Sequence, residues 1–184
     1  MALSKDSFCS FCGVAYPKDA RHPKTCAGCN ITVWSNPVPV ALVLQPVSVD
    51  GRSGVLVIRR GIEPKKGTLA VVGGFLEAHE DVEHGGAREM REETGVEIEP
   101  STLRPFWFVS TRPTPNRVLL FLRGESRDGK TLGPAALDHE TLERGVVFGP
   151  DGLEAIFGFD LHVEALRRYF AEVGIEGPAD YRTI

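Results

Sequence analysis

The protein has 184 residues, of which 42% are hydrophobic and 25% charged, a composition typical of one soluble globular domain with room for a small appendage. The formal net charge of -4 excludes bulk attraction to nucleic acid or to an anionic membrane, so a phosphate-bearing ligand must be held by local cations or by bound metal. The sequence has neither a signal peptide nor the roughly 20 consecutive apolar residues of a membrane helix, so we expect a cytoplasmic location.

All the cysteines lie near the N-terminus, in two C-x2-C pairs: Cys9, Cys12, Cys26 and Cys29. Four thiolates so spaced can reach one tetrahedral Zn2+, and Gly13 and Gly28 can take the unusual backbone angles of turns around a metal. The alternative, a pair of disulfides, agrees less well with the regular spacing and the missing secretory signal. About thirty residues bury too little apolar surface to fold unaided, so we predict a structural zinc ribbon over residues 1–36.

The rest of the chain, residues 37–184, alternates strand and helix patterns. Strands are predicted at 38–47, 54–60, 68–72, 103–110 and 117–124, the first two forming a hairpin around a turn at 48–53, and 127–133 is predicted to be a loop. One helix is predicted over 82–94, capped by Asp81 and closed by Gly95. A second is predicted over 160–173, with Asp160 as its N-cap. This order indicates a mixed sheet flanked by helices.

The stretch from Gly74 to Val96 carries the chemistry. Glu89, Glu92 and Glu93 stand at i, i+3 and i+4 of the predicted helix, so their carboxylates share one face. Such charges repel unless a cation neutralises them, and Mg2+ or Mn2+ prefers carboxylate oxygens, water and substrate phosphate as ligands. An exposed acidic helix with solvated charges is the alternative, and it explains neither the spacing nor the flanking glycines.

Two further features belong to the same stretch. Glu80 can fold back to pair with Arg88, which is four residues from Glu92, and we interpret Arg88 as a positioning cation. Gly85 and Gly86 each cost the helix about 1 kcal/mol relative to Ala, so we expect a strand or loop to pack closely against them.

These residues match every fixed position of the Nudix box, G-x5-E-x7-R-E-U-x-E-E-x-G-U with U apolar: Gly74, Glu80, Arg88, Glu89, Met90, Glu92, Glu93, Gly95 and Val96. The chain therefore resembles the Nudix hydrolases, which implies an α/β/α sandwich of the Nudix fold. The resemblance also implies that Glu89, Glu92 and Glu93 hold Mg2+ or Mn2+, that the Gly74 carbonyl is a further ligand, and that an activated water attacks phosphorus.

The cysteine pairs and the Asn36-Pro37 junction extend the resemblance to the zinc-ribbon Nudix hydrolases, which include NADH and plant FAD pyrophosphatases. Residues 59–77 are similar to the plant enzymes in particular. Residues 110–116, STRPTPN, lack the aromatics of the SQPWPFPxS motif of NADH pyrophosphatases. We expect metal-dependent hydrolysis of the pyrophosphate bond in a nucleoside diphosphate linked to another moiety, with FAD, NADH or ADP-ribose as candidates.

Other residues are candidates for the same site. Glu140 and Glu143 each offer a further metal or base carboxylate, and Glu143 better matches the family pattern. Four arginines either pair with phosphate or are solvated: Arg59, Arg60, Arg112 and Arg117. Trp107 can stack on a base, although core packing is the commoner role for a strand aromatic.

Two other functions stay open. One is a catalytically inactive sensor that binds nucleotide. The other is an RNA-binding or cap-removing protein, for which the ribbon supplies few cations: Lys5, Lys18, Arg21 and Lys24. The expected partner is a small-molecule nucleotide rather than nucleic acid or membrane, and the ribbon offers an extra surface through which a homodimer can form.

Overall fold

The computed structural model describes residues 6–111 and 116–184. Contacts within the chain divide it into two compact units, Met1–Pro37 and Val38–Ile184. The first unit contains a short antiparallel pair, β1 (Lys24–Thr25) and β2 (Thr32–Val33). In the part of the chain that is described, no helix is long and apolar enough to span a membrane.

The second unit is built on a mixed sheet. Its strands are β3 (Val38–Val49), β4 (Arg52–Arg60), β5 (Leu69–Phe75), β6 (Arg104–Ser110), β7 (Arg117–Arg123), β8 (Arg127–Asp128), β9 (Thr141–Phe148) and β10 (Asp180–Thr183). They lie in the order β10-β9-β4-β5-β3-β7-β6, with β8 beside β3. The long β3 pairs with β5 along its first half and with β4 along its second half. The pairs of β3 with β7 and β8 are parallel, and the other pairs are antiparallel.

One helix packs on each face of this sheet: α1 (Val82–Thr94) and α2 (Asp160–Glu172). Because side chains alternate along a strand, β3 contributes Leu42 to the core that contains Phe170 of α2, and Val43 to the core that contains Met90 of α1. Burial of each such side chain contributes about 1.5–3 kcal/mol. The predicted α/β/α sandwich is confirmed.

Most predicted elements are present, with changes at their ends. The hairpin strands run further than expected, so the turn is only Asp50 and Gly51, both with positive φ (50° and 82°). The N-cap prediction for Asp160 is wrong. Asp160 lies inside the first turn of α2, and the N-cap position belongs to Phe159, whose side chain makes no capping bond within the described chain. An acidic side chain still stabilises this first turn through the helix dipole.

Candidate functional site

Helix α1 begins and ends where the sequence predicts. The Asp81 carboxylate accepts a hydrogen bond from the His84 N–H at 2.9 Å, and Gly95 closes the helix with a left-handed φ of 74°. Gly85 and Gly86 allow the close packing expected of them. A Cβ on Gly85 would collide with Leu76, and one on Gly86 would lie 2.9 Å from Leu122 of β7. Helix α1 is therefore seated tightly on the sheet.

Arg88 makes hydrogen bonds to acidic side chains that lie before and along this helix. Its Nε and Nη2 donate to the two carboxylate oxygens of Glu80, at 2.7 and 3.1 Å. Nη1 donates to Glu89 at 2.8 Å and to Glu92 at 3.0 Å, and Nη2 also donates to the Phe75 carbonyl at 3.0 Å. These contacts hold the pKa of Glu80 below its usual range and raise that of Arg88. One arginine thus orients three carboxylates and the end of β5.

Glu89 and Glu93 face the glycine pair that precedes Phe75. The Gly73 N–H donates to Glu93 at 2.9 Å, and a Cβ on Gly74 would lie 2.6 Å from the Glu89 carboxyl carbon. Burial raises the pKa of the Glu89 carboxyl and raises that of Glu93 to about 8. The backbone therefore fits closely around two carboxyl groups that burial penalises when they are charged.

Glu92 differs from its two neighbours. Its side chain is 50% exposed, accepts from Arg88 Nη1, and does not line the cleft described below. Within residues 6–111 and 116–184, the group of metal-ligating side chains whose ligand atoms all lie within 4.8 Å of one another is the cysteine group. The three glutamates share a helix side but are not gathered as tightly as the sequence suggests.

A cleft of about 900 Å3 lies beside Glu89 and Glu93. Its apolar lining includes Val40, Leu42, Phe75, Leu119, Phe159 and Leu161. Its acidic lining consists, among the described residues, of Glu63, Glu77, Glu89, Glu93, Glu140 and Asp160. Four described cations also line the cleft: Arg60, Lys65, Arg88 and Arg117. An apolar surface next to paired charges of both signs can accommodate a molecule that has a ring at one end and phosphate at the other.

Glu143 does not line this cleft, contrary to the preference for it as a metal ligand. It lies opposite Arg59 in the register of β4 and β9, accepts from Arg59 Nε at 2.6 Å, and also accepts from the Tyr181 hydroxyl at 3.3 Å. The arginine holds the pKa of Glu143 below its usual range. Arg59 and Glu143 therefore form a cross-strand ion pair.

Glu140 is a loop carboxylate that lines the cleft, as Glu63 and Glu77 also do. The Gly61 N–H donates to the Glu140 carbonyl at 2.6 Å, and the Asp138 carboxylate accepts from the Glu140 N–H at 2.7 Å. A Cβ on Gly61 would collide with the backbone of His139, so only a glycine lets this loop approach β4 so closely. Glu140 is positioned by backbone contacts that its spacing from the Nudix box does not reveal.

The remaining predicted residues divide between the cleft and the core. Arg60 and Arg117 line the cleft. Trp107 instead stacks on Phe121 with ring centres 5.3 Å apart and has the Arg168 guanidinium 4.5 Å from its own ring centre, so it packs against the core. Arg112 lies outside the described residues.

Sequence reasoning missed His162, a buried side chain that also lines the cleft. Its Nδ1 accepts from the Val71 N–H of β5 at 3.1 Å. Burial and nearby Arg60 lower the pKa of His162 to about 3, so the ring is neutral and carries its proton on Nε2. In the sequence, His162 lies at an inward-facing position of an amphipathic helix. The residue pattern alone therefore does not indicate that it lines a cleft.

The cysteines of the first unit lie on two turns of the same design. Cys9 and Cys26 each donate an N–H to a carbonyl five residues later, Val14 and Ile31, at 2.8 and 2.9 Å. The position four residues after each cysteine has a left-handed φ, 75° at Gly13 and 59° at Asn30. The expectation that Gly28 has this conformation is wrong. Gly28 is needed for space, since a Cβ there would lie 2.7 Å from Val14.

The four thiols are free and close together. The Sγ atoms of Cys9 and Cys29 are 3.7 Å apart, and those of Cys12 and Cys26 are 3.5 Å apart. A tetrahedron with Zn–S bonds of about 2.3 Å has S···S edges of about 3.8 Å, so the spacing fits such an ion. Backbone N–H groups, that of Phe11 foremost, lower the pKa of Cys9 to about 6, and that of Cys29 foremost lowers the pKa of Cys26. Neighbouring thiols and burial raise the pKa of Cys12 to about 12, and burial and neighbouring thiols also raise that of Cys29.

Comparison with known proteins agrees with this geometry. The family model described as NUDIX domain matches residues 37–170. The chain is 32% identical over 147 residues to a NAD-capped RNA hydrolase NudC of Photobacterium profundum, covering 78% of this chain and 50% of that one. It is 45% identical over 60 residues to an ADP-ribose pyrophosphatase of Methanocaldococcus jannaschii, covering 30% of this chain and 36% of that one.

Among solved structures, a NUDIX hydrolase from Nitrosomonas europaea superposes with a TM-score of 0.64 at 20% identity, over 93% of this chain and 95% of that one. This likeness shows a shared fold. The chain spans about half the length of the NudC relatives that it matches.

Proposed function

The chain belongs to the Nudix hydrolase family, and on that premise we propose that it hydrolyses the pyrophosphate bond of a nucleoside diphosphate linked to another moiety. FAD, NADH and ADP-ribose are the candidate substrates. The observation that carries the proposal is the placement of Glu89 and Glu93 against the Gly73–Gly74 backbone, in a cleft that acidic, cationic and apolar side chains line together. Two of the relatives bear names that specify nucleotide-containing substrates, which supports this class.

The donor set suits a hard divalent cation. Carboxylate oxygens of Glu89, Glu92 and Glu93 and the Gly74 carbonyl would hold Mg2+ or Mn2+, with Glu140 in place of Glu143 as the further carboxylate. The raised pKa values of Glu89 and Glu93 support this assignment, because a cation compensates the penalty for charging a buried carboxyl group. When bound, such an ion neutralises the diphosphate and lowers the pKa of the attacking water.

The protein's own side chains have separable tasks. Arg88 keeps Glu80, Glu89 and Glu92 in fixed orientations through its guanidinium bonds. Arg60 and Arg117, on the lining of the cleft, pair with phosphate oxygens of the substrate. The apolar side chains of the cleft lining exclude water where they contact the substrate.

A panel assay tests the proposal. Turnover of FAD, NADH and ADP-ribose is measured with Mg2+ and with Mn2+, and the two monophosphate products are identified. Glu93→Gln is expected to reduce kcat at least about 100-fold, since it removes a charged oxygen ligand at the reacting centre. Glu143→Gln is the matched control and is expected to retain most activity, whereas Glu140→Gln loses activity. Absence of turnover by the wild-type chain contradicts the proposal and favours the inactive nucleotide sensor, and full activity of Glu93→Gln contradicts the assignment of Glu93 to the reacting centre.

We further propose that the first unit binds one structural Zn2+ through Cys9, Cys12, Cys26 and Cys29. The thiol spacing and the gathering of the four Sγ atoms within 4.8 Å of one another support it. Four thiolates complete a tetrahedral shell and leave no coordination position for chemistry. Metal analysis of the purified chain tests this, and less than half an equivalent of zinc per chain contradicts it.

Removal of a nucleotide cap from RNA is the second candidate function. This candidate is favoured because two relatives, from Photobacterium profundum and Stutzerimonas stutzeri, are named NAD-capped RNA hydrolase NudC. Comparing kcat/KM for NAD-capped RNA and for free NADH decides between the candidates. A preference for the capped RNA that falls steeply with salt supports cap removal, because phosphate contacts release counterions.

A further inference from the structure

A second cavity lies apart from the cleft that Glu89 and Glu93 line. Its volume is about 790 Å3, and among the described residues the two share no lining residue. Helix α2 separates them, because His162 of its first turn lines the cleft and Glu172 of its last turn lines the cavity. At a rise of about 1.5 Å per residue these positions are about 15 Å apart. The cavity is large enough for a small molecule.

Two arginines stand opposite each other at this cavity. Arg104 of β6 and Arg123 of β7 are register partners and both line it, so their side chains share one face of the sheet. Like charges in such positions destabilise a sheet. Glu172 accepts from Arg123 Nη1 at 2.6 Å, whereas Arg104 forms no ion pair within the part of the chain that is described. One positive charge of the pair is therefore left for an anion to neutralise.

A β-bulge places an aromatic ring beside these arginines. The register of β6 and β7 shifts between Pro105 and Trp107, so Phe106 is the extra residue. Neighbours on a regular strand point to opposite faces, yet Phe106 and Trp107 both pack against the core that contains Phe170. The rings of Phe106 and Tyr169 meet edge to face with centres 6.4 Å apart. Other apolar lining residues are Pro46, Val173 and Ile175.

Tyr169 brings a hydroxyl group without a partner to the same lining. The residue is 3% exposed, and none of the described residues makes a hydrogen bond to its hydroxyl. Burial raises the pKa of Tyr169, so the phenol stays protonated and is able to donate. The Arg123 guanidinium lies 5.3 Å from the centre of its ring. A buried donor without an acceptor costs free energy, which an acceptor in the cavity would recover.

We propose that this cavity binds a small organic oxyanion, a phosphate monoester or a carboxylate, whose other end is a planar apolar group. The oxyanion accepts from Arg104, Arg123 and the Tyr169 hydroxyl, and the planar group packs on Phe106. The guanidinium group suits both kinds of oxyanion, because its planar fork matches their paired oxygens. Two carboxylates, Glu125 and Glu172, also line the cavity and disfavour a ligand that is negative along its whole length, such as a polyphosphate.

A 1H–15N NMR titration of the full chain with phenyl phosphate, benzoate and phenol tests the site, because these probes share a ring and differ in the oxyanion. Phenyl phosphate or benzoate is expected to shift the amide signals of residues 104–106, 123–126 and 169–175, and phenol to bind about 10-fold more weakly. Arg104→Met is expected to raise the Kd of the bound oxyanion about 10-fold, and Tyr169→Phe about 3-fold, since a charged hydrogen bond contributes more than a neutral one. Arg127→Met removes a cation that does not line the cavity and should leave the Kd unchanged.

Three results overturn the inference: neither oxyanion shifts these signals, phenol binds as tightly as the oxyanions, or Arg104→Met has the same Kd as Arg127→Met. Tighter binding of phenyl phosphate than of benzoate supports the site as one for phosphate monoesters, and the reverse supports it as one for carboxylates. Far-UV circular dichroism checks the fold of each variant. Arg104 is an exposed side chain, so its variant decides the question even if Tyr169→Phe does not fold. The substrate panel tests a different site, since the cavity and the cleft share no described residue.

Discussion

Replacing Arg88 by Met removes the group that holds the acidic cluster together. The side chain is 16% exposed and donates to Glu80, Glu89 and Glu92, of which the first two are only 15% and 13% exposed. Removing one partner of a buried ion pair costs about 3–5 kcal/mol, and the residual solvent contact here reduces this to about 3 kcal/mol. For a chain of this size the melting temperature should fall by about 6–12 °C.

Thermal and urea unfolding followed by far-UV circular dichroism measure this change. Arg91→Met is the matched control on the same helix, since Arg91 is 53% exposed and its nearest carboxylate oxygen, on Glu92, is 3.5 Å away. That variant should cost no more than about 0.5 kcal/mol. The double variant Glu80→Gln, Arg88→Met should recover at least about 1 kcal/mol relative to Arg88→Met alone, because an uncompensated carboxylate is gone.

Two results would refute this reasoning. One is an Arg88→Met variant that unfolds at the same temperature as Arg91→Met, which would mean that Arg88 is effectively solvated. The other is a double variant less stable than Arg88→Met. This would mean that the loss of stability comes from the lost packing of the arginine rather than from the unpaired carboxylate of Glu80.

Three further predictions concern other parts of the chain. Cys26→Ser should abolish stoichiometric zinc and raise hydrogen exchange in the first unit alone, and retention of one zinc per chain would argue against a four-thiolate site. Gly86→Leu should cost about 1–3 kcal/mol in urea unfolding because of the clash with Leu122, so an unchanged midpoint would count against the packing described. His162 is neutral when folded, since its pKa is lowered to about 3, while the unfolded chain takes up a proton below its usual pKa of about 6.5. The contribution of neutral His162 to the free energy of unfolding is therefore complete above pH of about 6.5. It decreases as the pH falls below that value, by about 1.4 kcal/mol per pH unit. His162→Gln, which keeps an acceptor for the Val71 N–H, should flatten this slope between pH 6.5 and 5, and equal slopes in the two proteins would contradict the assignment.

Local sequence patterns predicted α1 and its ends because every relevant contact is local. Asp81 caps a backbone N–H three residues away, and Gly95 adopts a left-handed φ that costs other residues energy. The Glu80–Arg88 and Arg88–Glu92 contacts likewise follow from positions on or next to one helix. A helix repeats its geometry, so spacing along the chain translates directly into spacing in space.

The strands β9 and β10 escaped prediction because their environment is supplied from elsewhere. β9 contains Arg144, which is buried and donates to the carbonyls of Thr94 and Gly133. A charged residue in that position looks like a loop residue until the end of α1 is known to lie beside it. Among the described strands β10 pairs only with β9, so it could not be predicted without β9.

The amino-acid sequence by itself determined the helix that bears Glu89 and Glu93, the cysteine spacing and the family resemblance, because these rest on periodicity and on contacts between near neighbours. Only the tertiary structure decided that Glu140 rather than Glu143 reaches the cleft, and that Arg60 lines it while Arg59 does not. Arg59 and Arg60 are neighbours on β4, while Glu140 precedes β9 and Glu143 lies within it, so each choice depends on the strand register and on which face another element covers. Those quantities are set by contacts between distant segments.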